Sequence, residues 1–99
     1  MKGVLFRPEA REDAIQARDW YEKQAVGLGG EFVRALEGAV AVARRSPDAF
    51  PKLVGDFRRV LLRRFPYSLV YQSQGEHLVV LACFHHRRSP RQLSDRLRS

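Results

Sequence analysis

The spacing of apolar positions changes once along this chain, near residue 56. Before it, apolar side chains recur every three to four positions; after it, they alternate or run together. Val4, Leu5 and Phe6 predict a short strand over Gly3–Phe6. Pro8 suits the first position of a helix, where its missing N–H costs nothing. Glu9, Glu12 and Asp13 put carboxylates in its opening turn, favourably for the helix dipole. Ala10, Ala14, Ala17 and Tyr21 repeat at helical spacing, flanked by Ile15 and Trp20, so the helix should run to about Gly27. Trp20 and Tyr21 are read as core or hairpin packing. After the tight connection Gly27-Leu28-Gly29-Gly30, a second helix carries the stripe Phe32, Leu36, Ala39, Val40 and Ala43. Arg44 and Arg45 close it at the negative end of its dipole, and Pro47 stops it. Two amphipathic helices joined this briefly predict an antiparallel helical hairpin.

Residues 46–56 contain Pro47, Pro51 and Gly55 and read as a loop. A strand is then expected over Phe57–Arg64. A second spans Tyr67–Gln72, with Tyr67, Leu69 and Tyr71 on one face. Ser73-Gln74-Gly75-Glu76 forms a turn. His77–His85 encloses the unbroken apolar run Leu78–Phe84, the mark of a strand buried on both faces. The predicted fold class is α+β, in the order β-α-α-β-β-β. An antiparallel sheet is covered on one face by the N-terminal helical hairpin. The first strand must join that sheet, because alone it would leave its backbone unpaired. One domain over 1–99 is expected, with 90–99 as a C-terminal arm or a turn or two of helix.

Charge changes the picture from fold to function. Residues 1–50 carry eight basic and eight acidic side chains; residues 51–99 carry ten against three, which is the whole +7. Fifteen of the eighteen cations are arginine. Codon usage in a GC-rich genome could set that ratio, but not the asymmetry between halves. A field segregated in this way attracts phosphate or a strongly acidic partner. The single cysteine, Cys83, excludes an internal disulfide and a Cys-based zinc site, and its apolar setting argues for an inert thiol. The opening apolar stretch is too short for a secretory signal, and no run approaches the roughly 18 apolar residues of a membrane span. A soluble cytoplasmic protein without membrane association is the expectation.

Two constellations could carry chemistry. On the strand Phe57–Arg64, alternation puts Arg59, Leu61 and Arg63 on one face and Arg58, Val60, Leu62 and Arg64 on the other. One face must meet the helices, and the other could form an open cationic surface. The second constellation is His85-His86-Arg87-Arg88-Ser89-Pro90, where the buried strand emerges. A histidine beside guanidinium groups could act as acid or base in RNA cleavage, with arginine steadying the phosphorane, and Tyr67 or Tyr71 could add a donor. It could equally cap a strand end. Metal ligation is disfavoured, since adjacent histidines on a strand point to opposite faces, and no phosphate-binding glycine loop or cofactor motif is present.

Taken in order, these segments are familiar. The Ala-rich helix ending in Trp20-Tyr21-Glu22, then Gly27-Leu28-Gly29 and Phe32, Pro47 to Pro51, Arg58-Arg59, Phe65-Pro66-Tyr67-Ser68-Leu69-Val70-Tyr71 and His85-His86-Arg87-Arg88-Ser89-Pro90 resemble the RelE/ParE superfamily of type II toxin–antitoxin toxins. The resemblance covers roughly residues 4–92. It implies the same β-α-α-β-β-β fold, a role in growth regulation and plasmid stabilisation, and a cognate antitoxin. A homodimer or a toxin–antitoxin heterotetramer is an accompanying expectation. RelE-like members cleave mRNA on the ribosome with a set of basic residues; ParE-like members lack that set and are described as poisons of DNA gyrase. The Phe-Pro-Tyr and His-x-Arg-Arg-x-Pro segments, with Lys52 the only lysine near the central strands, resemble the ParE branch. That resemblance implies a target-binding surface of Arg58, Arg59, Arg63, Arg64, His85, Arg87 and Arg88. The alternative is a ribosome-dependent endoribonuclease using Arg63, His85 or His86, and Arg87; there Arg87 stands where those members carry an aromatic residue after their histidine.

Overall fold

The structure, a computed structural model, describes residues 2–98; the end residues of the expected 1–99 domain and of its 90–99 arm lie outside the described residues. The elements are β1 (Gly3–Phe6), α1 (Pro8–Gln24), α2 (Leu28–Arg45), β2 (Lys52–Val54), β3 (Phe57–Leu61), β4 (Tyr67–Gln74), β5 (His77–His85) and α3 (Pro90–Arg98). They form one five-stranded sheet in the order β1-β5-β4-β3-β2. The α1–α2 hairpin packs on one face, where Phe32, Leu36, Leu69, Tyr71, Leu78 and Val80 form the main core. Leu93 and Leu97 of α3 pack on the opposite face, against Val70, Ala82 and Phe84.

The sheet is mixed rather than antiparallel throughout. β3, β4 and β5 form the expected meander, but β1 lies parallel to β5, with Gly3 opposite His77 and Phe6 opposite Val80. Short turns dictate direction only for the strands they join. β1 is separated from β5 by the whole helical hairpin, so its direction follows from where it must deliver the chain into α1. The expected loop 46–56 also contains β2, which pairs antiparallel with β3 across a turn at Gly55 (φ 53°). β3 stops at Leu61, three residues short of the expected end. The chain then turns through residues 62–66, with Arg64 in the left-handed region at φ 71° and held by Glu31 at 2.9 Å.

A bulge explains how β5 serves both faces. Val70 pairs with Ala82 but Tyr71 pairs with Val80, so Leu81 is the extra residue. Alternation flips there. Leu78 and Val80 face the helical hairpin, while Ala82 and Phe84 face α3.

The helical hairpin closes tightly. Glu22 accepts hydrogen bonds from the N–H groups of Gly27 and Gly29 at 3.0 Å each, satisfying donors at the start of α2. Gly29 permits that approach: a Cβ there would lie 2.8 Å from the Arg18 carbonyl oxygen. Tyr21 joins the core as expected, stacked on Phe32 at 5.5 Å and edge-on to Phe65 at 4.8 Å. Trp20 does not: it is 57% exposed, because one step along a helix turns a side chain by about 100°.

The C-terminal arm is a helix with a legible start. Ser89 Oγ accepts from the Gln92 N–H at 3.2 Å and Gln92 Oε1 accepts from the Ser89 N–H at 3.3 Å, a reciprocal capping box with Pro90 at the first position. Its docking depends on Asp13. This carboxylate lies mid-stripe on α1 and is only 8% exposed, rather than in the opening turn. It accepts from the Cys83 N–H at 3.1 Å and from both Arg96 nitrogens at 2.8 and 3.1 Å. We predict that Asp13→Ala destabilises the fold by about 3 kcal/mol, the scale of breaking a buried charged pair, while an exposed control such as Glu12→Ala changes it little. Urea unfolding measures both, and equal stabilities for the two variants would contradict the clamp.

Candidate functional site

The chemistry-bearing residues meet at the end of β5, where the chain leaves the sheet and turns into α3. The turn is built by the backbone. The His86 N–H donates to the Pro66 carbonyl at 2.9 Å, and the Arg88 N–H donates to the His85 carbonyl at 3.1 Å. Because side chains alternate, His85 and His86 part to opposite sides. His85 lies edge-on to Tyr67 at 5.0 Å on the helix side. His86 shares a 3.0 Å hydrogen bond between its Nε2 and Ser68 Oγ on the other side.

On the sheet face opposite the hairpin, Arg59, His86 and Arg88 surround a groove of about 200 Å³ floored by Val70 and Phe84, with α3 as one wall. Arg88 is held in place: its guanidinium lies 4.9 Å from the centre of the Phe84 ring and 3.8 Å from Asp13. Arg59 is exposed and has no acidic partner among the described residues. A second, wider cleft of about 540 Å³ opens on the helix side, lined by Trp20, Tyr21, Tyr67, His85 and Arg87 among others. Burial raises the pKa of the Tyr21 and Tyr67 phenols, so both remain hydrogen-bond donors well above neutral pH. His85 is pushed the other way by partial burial and by the charges of Arg87, His86 and Arg88. Both effects favour its neutral form, whose Nδ1 accepts from the Arg87 N–H at 2.9 Å.

The sequence-predicted cations therefore do not share one patch. Arg59 and Arg88 line the sheet-face groove and Arg87 lines the aromatic cleft, while His85 and His86, at the strand end between them, line both. Arg58 faces the hairpin side of the sheet and is spent internally. It donates to the Phe50 carbonyl at 2.6 Å and lies 3.8 Å from Asp48. Arg64 is paired with Glu31. Arg63 lines a separate groove beside α2, with Arg34 and Arg45. Sequence reasoning missed Asp13 and Ser68 as partners of this turn. A carboxylate inside the Ala10–Ala17 stripe was the available sign of the first; nothing local marked the second.

Cys83 is a buried free thiol held in its protonated form. Burial, and then the Asp13 carboxylate, raise its pKa to about 12, above the ordinary 9.0. Among the described residues no group of three or more potential ligands could hold a metal ion. The raised thiol pKa has a definite sign for stability. Between about pH 9 and 12 the unfolded chain releases a proton that the folded chain retains, so stability falls as pH rises through that window. Denaturation at pH 8 and pH 10.5 should show this decline, partly removed in Cys83→Ala. Decline of equal size in the variant would contradict the assignment, as would rapid labelling of native Cys83 by a thiol reagent at pH 8.

Similarity to known proteins agrees with this architecture. The family described as "ParE toxin of type II toxin-antitoxin system, parDE" matches residues 4–90. Among curated proteins, none matches the chain significantly. A toxin–antitoxin structure titled "Chromosomal ParDE TA system from P. aeruginosa" superimposes with a TM-score of 0.62 at 19% identity, over 86% of this chain and 96% of that one. The isolated RelE toxin of E. coli superimposes with a TM-score of 0.58 at 22% identity, over 99% and 98%. At these identities the two structures speak for the fold. No helix among the described residues is long and apolar enough to cross a membrane.

Proposed function

Because this chain belongs to the ParE toxin family of type II toxin–antitoxin systems, we propose that it arrests growth by poisoning DNA gyrase through the basic end of its sheet. Membership in such a family implies a cognate antitoxin, and a basic toxin suits an acidic one. The contact surface on the toxin is the sheet-face groove with Arg59, His86 and Arg88, extended by the exposed face of α3. His85 and Arg87 flank it across the strand end. Arg58 supports the fold around it, while Arg64 is exposed and pairs with Glu31 at the surface.

The observation that carries this reading is the distribution of the nuclease candidates. General acid–base cleavage needs its acid, base and phosphate-stabilising groups around one reacting bond. Here Arg63 lines a groove beside α2, apart from His85, His86 and Arg87, which line the aromatic cleft. What remains on the sheet face is cationic, apolar-floored and free of carboxylates, which suits docking on an acidic macromolecular surface. One observation favours the RelE-like reading instead: His86, paired to Ser68, stands in a groove with two guanidinium groups. In that reading the ribosome and mRNA replace gyrase, and His86 is the acid–base group.

The two readings separate in one experiment. Toxin induced without antitoxin should leave transcripts intact and trap cleaved plasmid in a gyrase supercoiling assay. Arg59→Glu, at an exposed position, should weaken that trapping by tenfold or more without altering the unfolding midpoint. Cut transcripts together with undisturbed supercoiling would sink the gyrase reading and select the nuclease.

A further inference from the structure

The aromatic cleft on the helix side lies outside the sheet-face groove, touching the proposed gyrase contact only at its flanking His85 and Arg87, and it is the larger of the two openings at the end of β5. Its walls combine three chemistries. The first is a flat apolar surface. Trp20 is 57% exposed on α1, and its ring is fixed edge-on to Tyr21, with centroids 5.0 Å apart and planes at 85°. Tyr21 is itself locked into the Phe32–Phe65–Tyr67 cluster, so the indole stands on a rigid support and not on a loose rim. The second is hydrogen bonding. Tyr21 and Tyr67 line the cleft, and neither phenol oxygen has a hydrogen-bond partner among the described residues. With the His85 Nδ1 occupied by the Arg87 N–H, the neutral imidazole directs its remaining proton to Nε2. The third is positive charge from Arg87, which has no acidic partner among the described residues.

A planar apolar face, edge donors and one cation correspond to a base with its attached phosphate. A carboxylate side chain has the charge but no face to lay on an indole. Stacking between bases and aromatic side chains tolerates any base and recurs wherever unpaired nucleic acid is held. The cleft volume, about 540 Å³, lies in the range of small-ligand sites. We propose that this cleft binds a nucleotide unit, with the base stacked on Trp20 and its phosphate held by Arg87. The site stands on the cleft's own geometry and holds whichever cellular target the toxin attacks.

Trp20 is the only tryptophan of the chain, so its fluorescence reports this cleft alone. The purified full-length toxin is titrated with AMP, with unstructured six-residue oligoadenylates of RNA and of DNA, with pyrophosphate and with hexaglutamate. Quenching by an oligoadenylate or by AMP is expected; pyrophosphate and hexaglutamate should leave the emission unchanged. Comparable quenching by AMP assigns the site to free nucleotides, and quenching by the oligomers alone assigns it to single strands. Binding is then read by anisotropy of the labelled best ligand. Trp20→Ala should weaken it by roughly tenfold, the scale of one lost stack, and Trp20→Phe should restore most of it. Arg87→Gln should weaken it less and flatten its dependence on salt. Unfolding curves should stay unchanged for both exposed Trp20 variants. Nucleic acid that binds without affecting Trp20 emission, Trp20→Ala binding as tightly as the parent, or equal quenching by hexaglutamate would each overturn the proposal.

Discussion

One buried carboxylate holds the working end of this molecule together. Asp13 accepts the backbone N–H of Cys83 on the interior strand β5 and both terminal nitrogens of Arg96 on the last helix, so three elements distant in sequence share one anion. Placing a charge in the interior of a small domain is costly and is tolerated only when its lone pairs are satisfied by strong donors. The Cys83 N–H would otherwise point outward from β5 beyond the end of β1, because β1 reaches only as far as Val80. The carboxylate thus does for that stretch what a further strand residue would do, and it turns the sheet edge into an anchor for α3.

The basic turn inherits its shape from that anchor. Arg88 and Arg96 both lie over the Phe84 ring, at 4.9 and 5.7 Å, and both lean toward Asp13. Cation–ring contacts combined with a shared counter-ion hold α3 on the sheet although none of its residues is fully buried. Leu93 and Leu97 add the apolar part of the contact. From one side, the clamp positions the wall of the sheet-face groove. From the other, the cluster of Tyr21, Phe32, Phe65 and Tyr67 supports the aromatic cleft. The strand end His85–His86 divides the two, and both histidines line both openings.

Acids of the chain itself offset part of the charge that its cations offer to a partner. Glu31 takes Arg64, while Asp48 and the Phe50 carbonyl take Arg58; Tyr71 pins the same loop through a 2.7 Å hydrogen bond to the Pro47 carbonyl. A net charge of +7 therefore overstates the field at any one place on the surface. Association steered by charge depends on the unpaired cations, among them Arg59 at the groove, Arg87 at the cleft and Arg63 beside α2.

Much of the fold could be read before any coordinates. The stripe Phe32–Leu36–Ala39–Ala43, the run Leu78–Phe84 and the turn residues between strands locate the hairpin and the meander, because helix and strand periodicities act over a few neighbouring residues. The capping box at Ser89–Gln92 is a local signal of the same kind, and it extends the expected turn or two of helix to the whole of α3. The parallel seating of β1, the edge strand β2, the exposure of Trp20 and the division of the arginines came only with the tertiary structure. The seating of β1 and the pairing of the arginines depend on partners far along the chain: Arg96 meets Asp13 from 83 residues away, and Arg64 meets Glu31 from 33. Local pattern states that a side chain is charged or apolar; only packing states what it faces, and a guanidinium facing its own carboxylate is structure while one facing solvent is available for function.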